Sequence, residues 1–225
     1  MSIFRTVSTI CPACSTPVDF ELVHSVNVDR RPDLREAILD GTFQRTPCPS
    51  CGTQIRIEPE FVYIDRGRGQ YVGVWPASKR GDWQARAADT RRVFDETWGK
   101  DAPGEAKALG AKLDVRAVFG WFALVEKILA RQAGIDDHSL ELAKLAVMRT
   151  RDETPLPGRR ELRLIGITEA GDLELTWAGD GADQVLHVPR QLLADIDADP
   201  AAWSVARQGV SEGDVVDFQR DLLAA

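Results

Sequence analysis

Histidine is scarce in this sequence. His24, His138 and His187 are the only three among 225 residues, and they fall in no pattern. There is no HExxH, no G-x-S-x-G and no Gly-rich phosphate loop of the P-loop or dinucleotide type. The familiar zinc-protease, serine-hydrolase and nucleotide-binding signatures are therefore absent. Long apolar runs are missing too. The longest, Ala117 to Val125, is far too short to span a bilayer and ends at Glu126-Lys127, so no membrane role is expected. The opening MSIFRTVSTICPAC lacks the apolar centre of a secretory signal, and a cytoplasmic location is expected.

Positive charge is in short supply. The formal net charge is -7. Residues 1–100 hold 14 Lys/Arg against 13 Asp/Glu, and residues 101–225 hold 14 against 22. The acidic second half repels phosphate backbones, so any nucleic-acid role must use the first half. Its best candidate there is Arg66, Arg68, Lys79, Arg80, Arg91 and Arg92, with Trp83 as a possible stacking residue. Asp82, Asp89, Asp95 and Glu96 interrupt that cluster, and Trp83 lies on an apolar helical stripe, so a mixed-charge solvent face is the plainer reading. The acidic stretch 169–199 reads as a solvated face that a basic partner can also meet.

Cysteine occurs four times, always as part of CPxC: Cys11 and Cys14 in CPAC, Cys48 and Cys51 in CPSC. Four thiolates complete the tetrahedron of a structural Zn²⁺ and leave no position for a catalytic water. Cys-x-x-Cys lets one tight turn present two sulfurs to one ion, and Gly52 frees the backbone after the second motif. The first motif has Ser15 there instead. A redox pair of the thioredoxin kind should open a helix after a strand, whereas CPACSTPVDF runs on into β-prone sequence. Disulfides are the third reading, and they are rare in a reducing compartment. A compact zinc ribbon separates its pairs by roughly 15–20 residues. Here residues 15–47 intervene, enough for a strand and a helix.

Those elements are legible. Residues 3–10 and 18–26 read as strands, RPDLREAILDG as a helix opened by Pro32 and stopped by Gly41, and QIRIEPE, FVYIDR and YVGVWP as strands. Residues 82–98 carry Trp83, Ala87, Thr90, Phe94 and Trp98 on one helical face. Asp101–Gly110 reads as weak or broken. Asp114 reads as the N-cap of a central helix running to about Ala133, followed by a helix over 137–149. Past the linker RTRDETPLPGRR, the segments ELRLIGI, LELTW and QVLHV form a β-meander. Pro189 opens a short helix, and Ser211 with Asp214 reads as the cap of a last one.

The fold expected is α+β. A zinc-ribbon-like β unit with an inserted helix (about 3–76) joins helices over about 82–149 to make one domain, 1–150. Residues 151–225 form a small α+β region. At this point the sequence resembles the bacterial CpXC-domain family. The likeness is carried by TICPACSTPVDFELVHSVNVD, RPDLREAILDG, CPSCGTQIRIEPEFVYIDRGRGQYVGVWP, FALVEKILARQAGIDD and LELAKL, over roughly 5–148. It implies that Cys11, Cys14, Cys48 and Cys51 are the defining residues and strengthens the zinc reading; it implies no activity. The expectation is a non-enzymatic protein-interaction or regulatory module with a structural Zn²⁺ and another protein as partner. A nucleic-acid-associated zinc protein and an enzyme with an unrecognised site are the alternatives.

Overall fold

A computed structural model of the chain describes residues 2–150, 160–179 and 184–221. The expected linker RTRDETPLPGRR and the AGDGAD turn fall mostly outside the described residues. The architecture is α+β, built on a five-stranded mixed sheet.

Strands β1 (Ile3–Ile10) and β2 (Pro17–Asn27) pair antiparallel around the CPAC turn. Helix α1 (Pro32–Leu39) follows, with Pro32 in its first turn and Leu34 and Ile38 buried; Gly41 then reverses the chain at φ +75°. The short strands β3 (Arg45–Pro47) and β4 (Gln54–Arg56) form a hairpin around CPSC. The chain then enters the main sheet again as β5 (Phe61–Asp65), parallel to β2, so α1 and the second hairpin together form a crossover. Asp65 makes the turn that follows: its carboxylate accepts Arg68 N at 3.0 Å before β6 (Gln70–Trp75) runs back antiparallel. A 3-10 turn (Ala77–Asp82), α2 (Trp83–Thr97) and α3 (Gly104–Gly110) cross to the last strand.

That last strand corrects the sequence reading. Residues 114–119 are not the first turns of a helix but strand β7 (Asp114–Phe119), parallel to β6, and the sheet order is β1-β2-β5-β6-β7. Gly120, at φ +85°, makes the turn, and α4 (Trp121–Gln132) begins only after it. Periodicity failed here because β7 is covered on both faces and reads as an apolar run, like a buried helix. The segment 101–110 is also more ordered than expected: Pro103 opens α3.

Helices α1 and α4 cover one face of the sheet, where Val26, Ile38, Tyr63, Val72, Val118, Leu124 and Ile128 form the largest N-terminal core. On the other face, Phe94 of α2 packs on Tyr71, Ile64 and Val115. Helix α4 is central, as its all-round apolar surface implies; it also reaches a second core through Ala130 and Leu129. That core joins α5 (Asp137–Arg149) to the meander β8 (Glu161–Ile167), β9 (Leu173–Ala178) and β10 (Val185–Val188) and to α6 (Gln191–Ala198). Helix α7 (Ser204–Gly209) comes next. The last helix expected at Ser211 is instead a hairpin of β11 (Ser211–Glu212) and β12 (Val215–Val216), turned by Gly213 at φ +56°. No helix among the described residues is long and apolar enough to cross a membrane.

The two cores are bound together by charge. Glu126 of α4, fully buried, accepts both of its oxygens' bonds from Lys144 of α5 at 3.0 Å, Arg163 of β8 at 2.9 Å and the Leu164 amide at 2.9 Å. Arg163 also reaches Asp217 at 2.6 Å, and Lys144 reaches Glu141 at 2.7 Å. Burial alone would raise the Glu126 carboxyl, but Lys144 and Arg163 outweigh it and hold the group below its ordinary value. Such a network adds little over an apolar core, but removing one member strands the others.

Candidate metal centre

The two CPxC turns are built alike. In each, the residue after the second cysteine donates to the first cysteine's carbonyl: Ser15 N to Cys11 O and Gly52 N to Cys48 O, both 2.9 Å. In each, the first cysteine's amide donates across the turn: Cys11 N to Thr16 O and Cys48 N to Thr53 O, again 2.9 Å. The chain leaves each turn through the left-handed region, at φ +60° for Ser15 and +74° for Gly52. Glycine takes that conformation freely; serine does so against a steric penalty. Val18 and Ile55 fill matching places beneath the turns and pack with Cys11 and Cys48. The repeat visible in the sequence is thus a repeat of backbone geometry.

Crossing the two turns brings the four sulfurs together. Cys11 Sγ lies 3.7 Å from Cys51 Sγ, and Cys14 Sγ lies 3.6 Å from Cys48 Sγ. All four lie within 4.8 Å of one another. Each buried cysteine thereby faces the exposed cysteine of the other turn. Four Zn–S bonds of about 2.3 Å at tetrahedral angles put sulfurs about 3.8 Å apart, which this arrangement matches. The cysteines are free thiols, and CPAC is the turn of a hairpin rather than the start of a helix, as a thioredoxin-like pair requires.

The environment favours thiolate at the rim. Thr16 Oγ1 stands 3.3 Å from Cys14 Sγ and Thr53 Oγ1 stands 3.2 Å from Cys51 Sγ. Hydrogen bonding with Thr16 brings the Cys14 thiol down to about 6, and Thr53 lowers Cys51 likewise. Burial pushes Cys11 up to about 11. A cation is what would hold all four deprotonated at once. The residues present fit a four-thiolate metal site with no open coordination position.

The six cations considered for nucleic acid do not make a free basic face. Arg66 pairs with Asp29 at 2.5 Å, Arg68 with Asp65 at 3.2 Å, and Arg91 with Asp214. Arg92 pairs with Glu96 at 3.0 Å. Arg80 is buried, bonded to Phe119 O at 3.1 Å and to Glu161 at 2.6 Å, which puts it out of reach of a phosphate. Lys79 is exposed, whereas Trp83 is buried with its indole N–H on Asp221 and is not a stacking surface. His24 is exposed on β2, and His187 is exposed on β10 beside Glu174.

Sequence reasoning missed a second polar cluster. Asp136 caps α5, accepting Ser139 N at 2.9 Å, and Asp137 takes Arg116 Nε at 2.6 Å and lies 3.5 Å from Lys127 Nζ. His138 lies beside both, and their hydrogen bonds raise it to about 9. The contact of Asp137 with Arg116 was hidden by the misreading of β7.

A family model described as CpXC protein matches residues 9–144, more than half of the chain. Nothing matches among curated proteins or among solved structures.

Proposed function

The chain belongs to the CpXC protein family, and from that premise we propose a zinc-bearing, non-enzymatic interaction module in which Cys11, Cys14, Cys48 and Cys51 hold one structural Zn²⁺. The observation that carries this reading is the convergence of all four cysteines at tetrahedral spacing. A zinc held by four thiolates has no vacant position at which to activate water. Its contribution is mechanical: it fastens the β1–β2 hairpin to the β3–β4 hairpin. The partner is a protein whose extended segment adds to β1. This strand is the outer edge of the sheet, eight residues long, with Arg5 its single charge and Ile3 and Ile10 more than half exposed. Natural edges are usually blunted by lysine, proline or a bulge; β1 has neither residue, and its register shift against β2 is confined to its start, between Ile3 and Phe4.

The test is affinity capture from host lysate with the wild-type chain and with the double variant Ile3→Lys/Ile10→Lys, alongside metal analysis. The expected result is a protein captured by the wild type and lost by the variant, with zinc content and melting unchanged. Identical capture by both, or none by either, would overturn the edge as the interaction surface. A metal-free wild type would overturn the zinc.

A further inference from the structure

We infer that Arg45 and Arg56, facing each other across the β3–β4 hairpin, form a binding site for a doubly charged phosphate: inorganic phosphate or the phosphate monoester of a small molecule. The site shares that hairpin with the cysteines but uses none of them, and it does not rest on the β1 edge proposed above.

Register brings the two arginines together. Arg45 is the residue opposite Arg56 in the hairpin. Gln44 O accepts Ile57 N at 3.3 Å and Thr53 O accepts Cys48 N at 2.9 Å, so 44/57 and 48/53 are bonded pairs. The alternation of an antiparallel ladder then makes 45/56 a non-bonded pair, the kind whose side chains stand closest. Like charges placed directly opposite are destabilising. Side chains also alternate along a strand, so Ile55 turns to the cysteines while Arg56 turns to α4.

Among the described residues nothing cancels the two charges: neither arginine has an ion-pair or hydrogen-bond partner. Glu58 acts on Arg56 from beyond ion-pair distance, and its Oε2 is taken by Ala77 N at 3.1 Å. Burial first, and then the charge of Arg45, draw the Arg56 guanidinium down to about 10, which leaves it protonated at neutral pH.

Arg56 is held in place before any ligand arrives. Its guanidinium carbon lies 4.2 Å from the centre of the Trp121 ring. That ring is fixed by its own N–H, which donates to Ile57 O at 3.1 Å, and by edge contact with Phe43. Nε and Nη2 of Arg56 are shut in without an acceptor, and Nη1 is the nitrogen left open. Arg45 is exposed. A ligand meets Nη1 of one arginine and the free guanidinium of the other, so no buried atom has to be reached.

The two charges select the ligand class. Arginine binds phosphate oxygens through charge-assisted hydrogen bonds. A phosphate monoester carries about -1.5 to -2 charges at pH 7 and three acceptor oxygens, so one group cancels both cations. A carboxylate or a phosphodiester carries a single charge and leaves one arginine uncompensated.

The experiment is phosphorus NMR titration of the full zinc-loaded chain, free of excess zinc and at low ionic strength, with phosphate, methyl phosphate and dimethyl phosphate. The first two should bind with a Kd below about 1 mM, about tenfold or more tighter than dimethyl phosphate. The tighter of the two names the source, free ion or monoester. Arg45→Ala and Arg56→Gln should each weaken binding by about tenfold or more, whereas Arg30→Ala, an exposed arginine before α1, should not. Should Arg56→Gln fail to fold, the exposed Arg45→Ala decides. No binding of phosphate or methyl phosphate up to about 10 mM would overturn the inference. So would binding that Arg45→Ala leaves intact, an equal loss in Arg30→Ala, or equal binding of dimethyl phosphate.

Discussion

Exchanging the residues that follow the two CPxC motifs tests the backbone symmetry of the centre. Ser15 and Gly52 occupy equivalent positions at φ +60° and +74°. An L-residue in the left-handed region costs about 1–2 kcal/mol, and glycine's extra freedom in the unfolded chain returns about 0.5–1 kcal/mol of that difference. Ser15→Gly should therefore stabilise by about 0.5–1 kcal/mol, and Gly52→Ser should destabilise by a similar amount. Packing does not blur the comparison. Ser15 is exposed, and a Cβ built on Gly52 meets nothing within 4 Å. For a chain of this size the shifts are about 1–4 °C in Tm, upward for Ser15→Gly and downward for Gly52→Ser. The double exchange should return to the wild-type value. Thermal melts of the zinc-loaded proteins at equal concentration, with chelator competition as a second readout, measure all three. A Ser15→Gly protein that melts lower than wild type, or a neutral Gly52→Ser, would refute the assignment of the strain to the left-handed turns.

Three further outcomes are expected. Glu126→Ala leaves Lys144 and Arg163 buried without their shared carboxylate and should cost about 3–5 kcal/mol, read by urea unfolding; a loss under about 1 kcal/mol would contradict the network. His138 is raised to about 9 by Asp136 and Asp137, so its contribution is full below the unfolded pKa of 6.5 and is lost as pH rises through 9. Melting followed from pH 6 to 10 should thus fall more steeply in the wild type than in His138→Gln, and parallel curves would remove His138 from the account. Stripping the metal with a strong chelator, or Cys48→Ser, should unfold residues 1–76 at least locally, seen as lost amide-exchange protection in β1 to β4; unchanged protection would contradict a structural metal.

How much the sequence revealed depended on what each residue contacts. Local signals read well: Pro32 and Gly41 bounded α1, FVYIDR and YVGVWP marked β5 and β6, and the apolar stripe of α2 gave its boundaries within a residue. Cys11, Cys14, Cys48 and Cys51 were recognisable as a set because spacing and count alone define it, and the structure brings their sulfurs together. Features set by distant partners did not read. Val115 and Val118 looked helical because β6 and the surrounding helices bury β7 on both faces; the break at Gly120 was the available cue. Arg80 looked like a surface cation because Glu161, its partner, lies far along the chain. Glu126 and Lys144 lay on apolar helices with no local mark of their pairing, and Arg45 showed nothing of Arg56 across the hairpin. Ser211 and Asp214 had the composition of a helix cap, but Gly213 and the pairing of Val215 and Val216 made a hairpin.

The central claim is that four thiolates close around one structural zinc. X-ray absorption at the zinc edge of the purified full chain, with metal quantified per protein, tests it most directly. The account predicts one zinc per chain and a single shell of four sulfurs at about 2.3 Å. A nitrogen or oxygen ligand in that shell, or a folded chain without metal whose cysteines are disulfide-bonded, would contradict it.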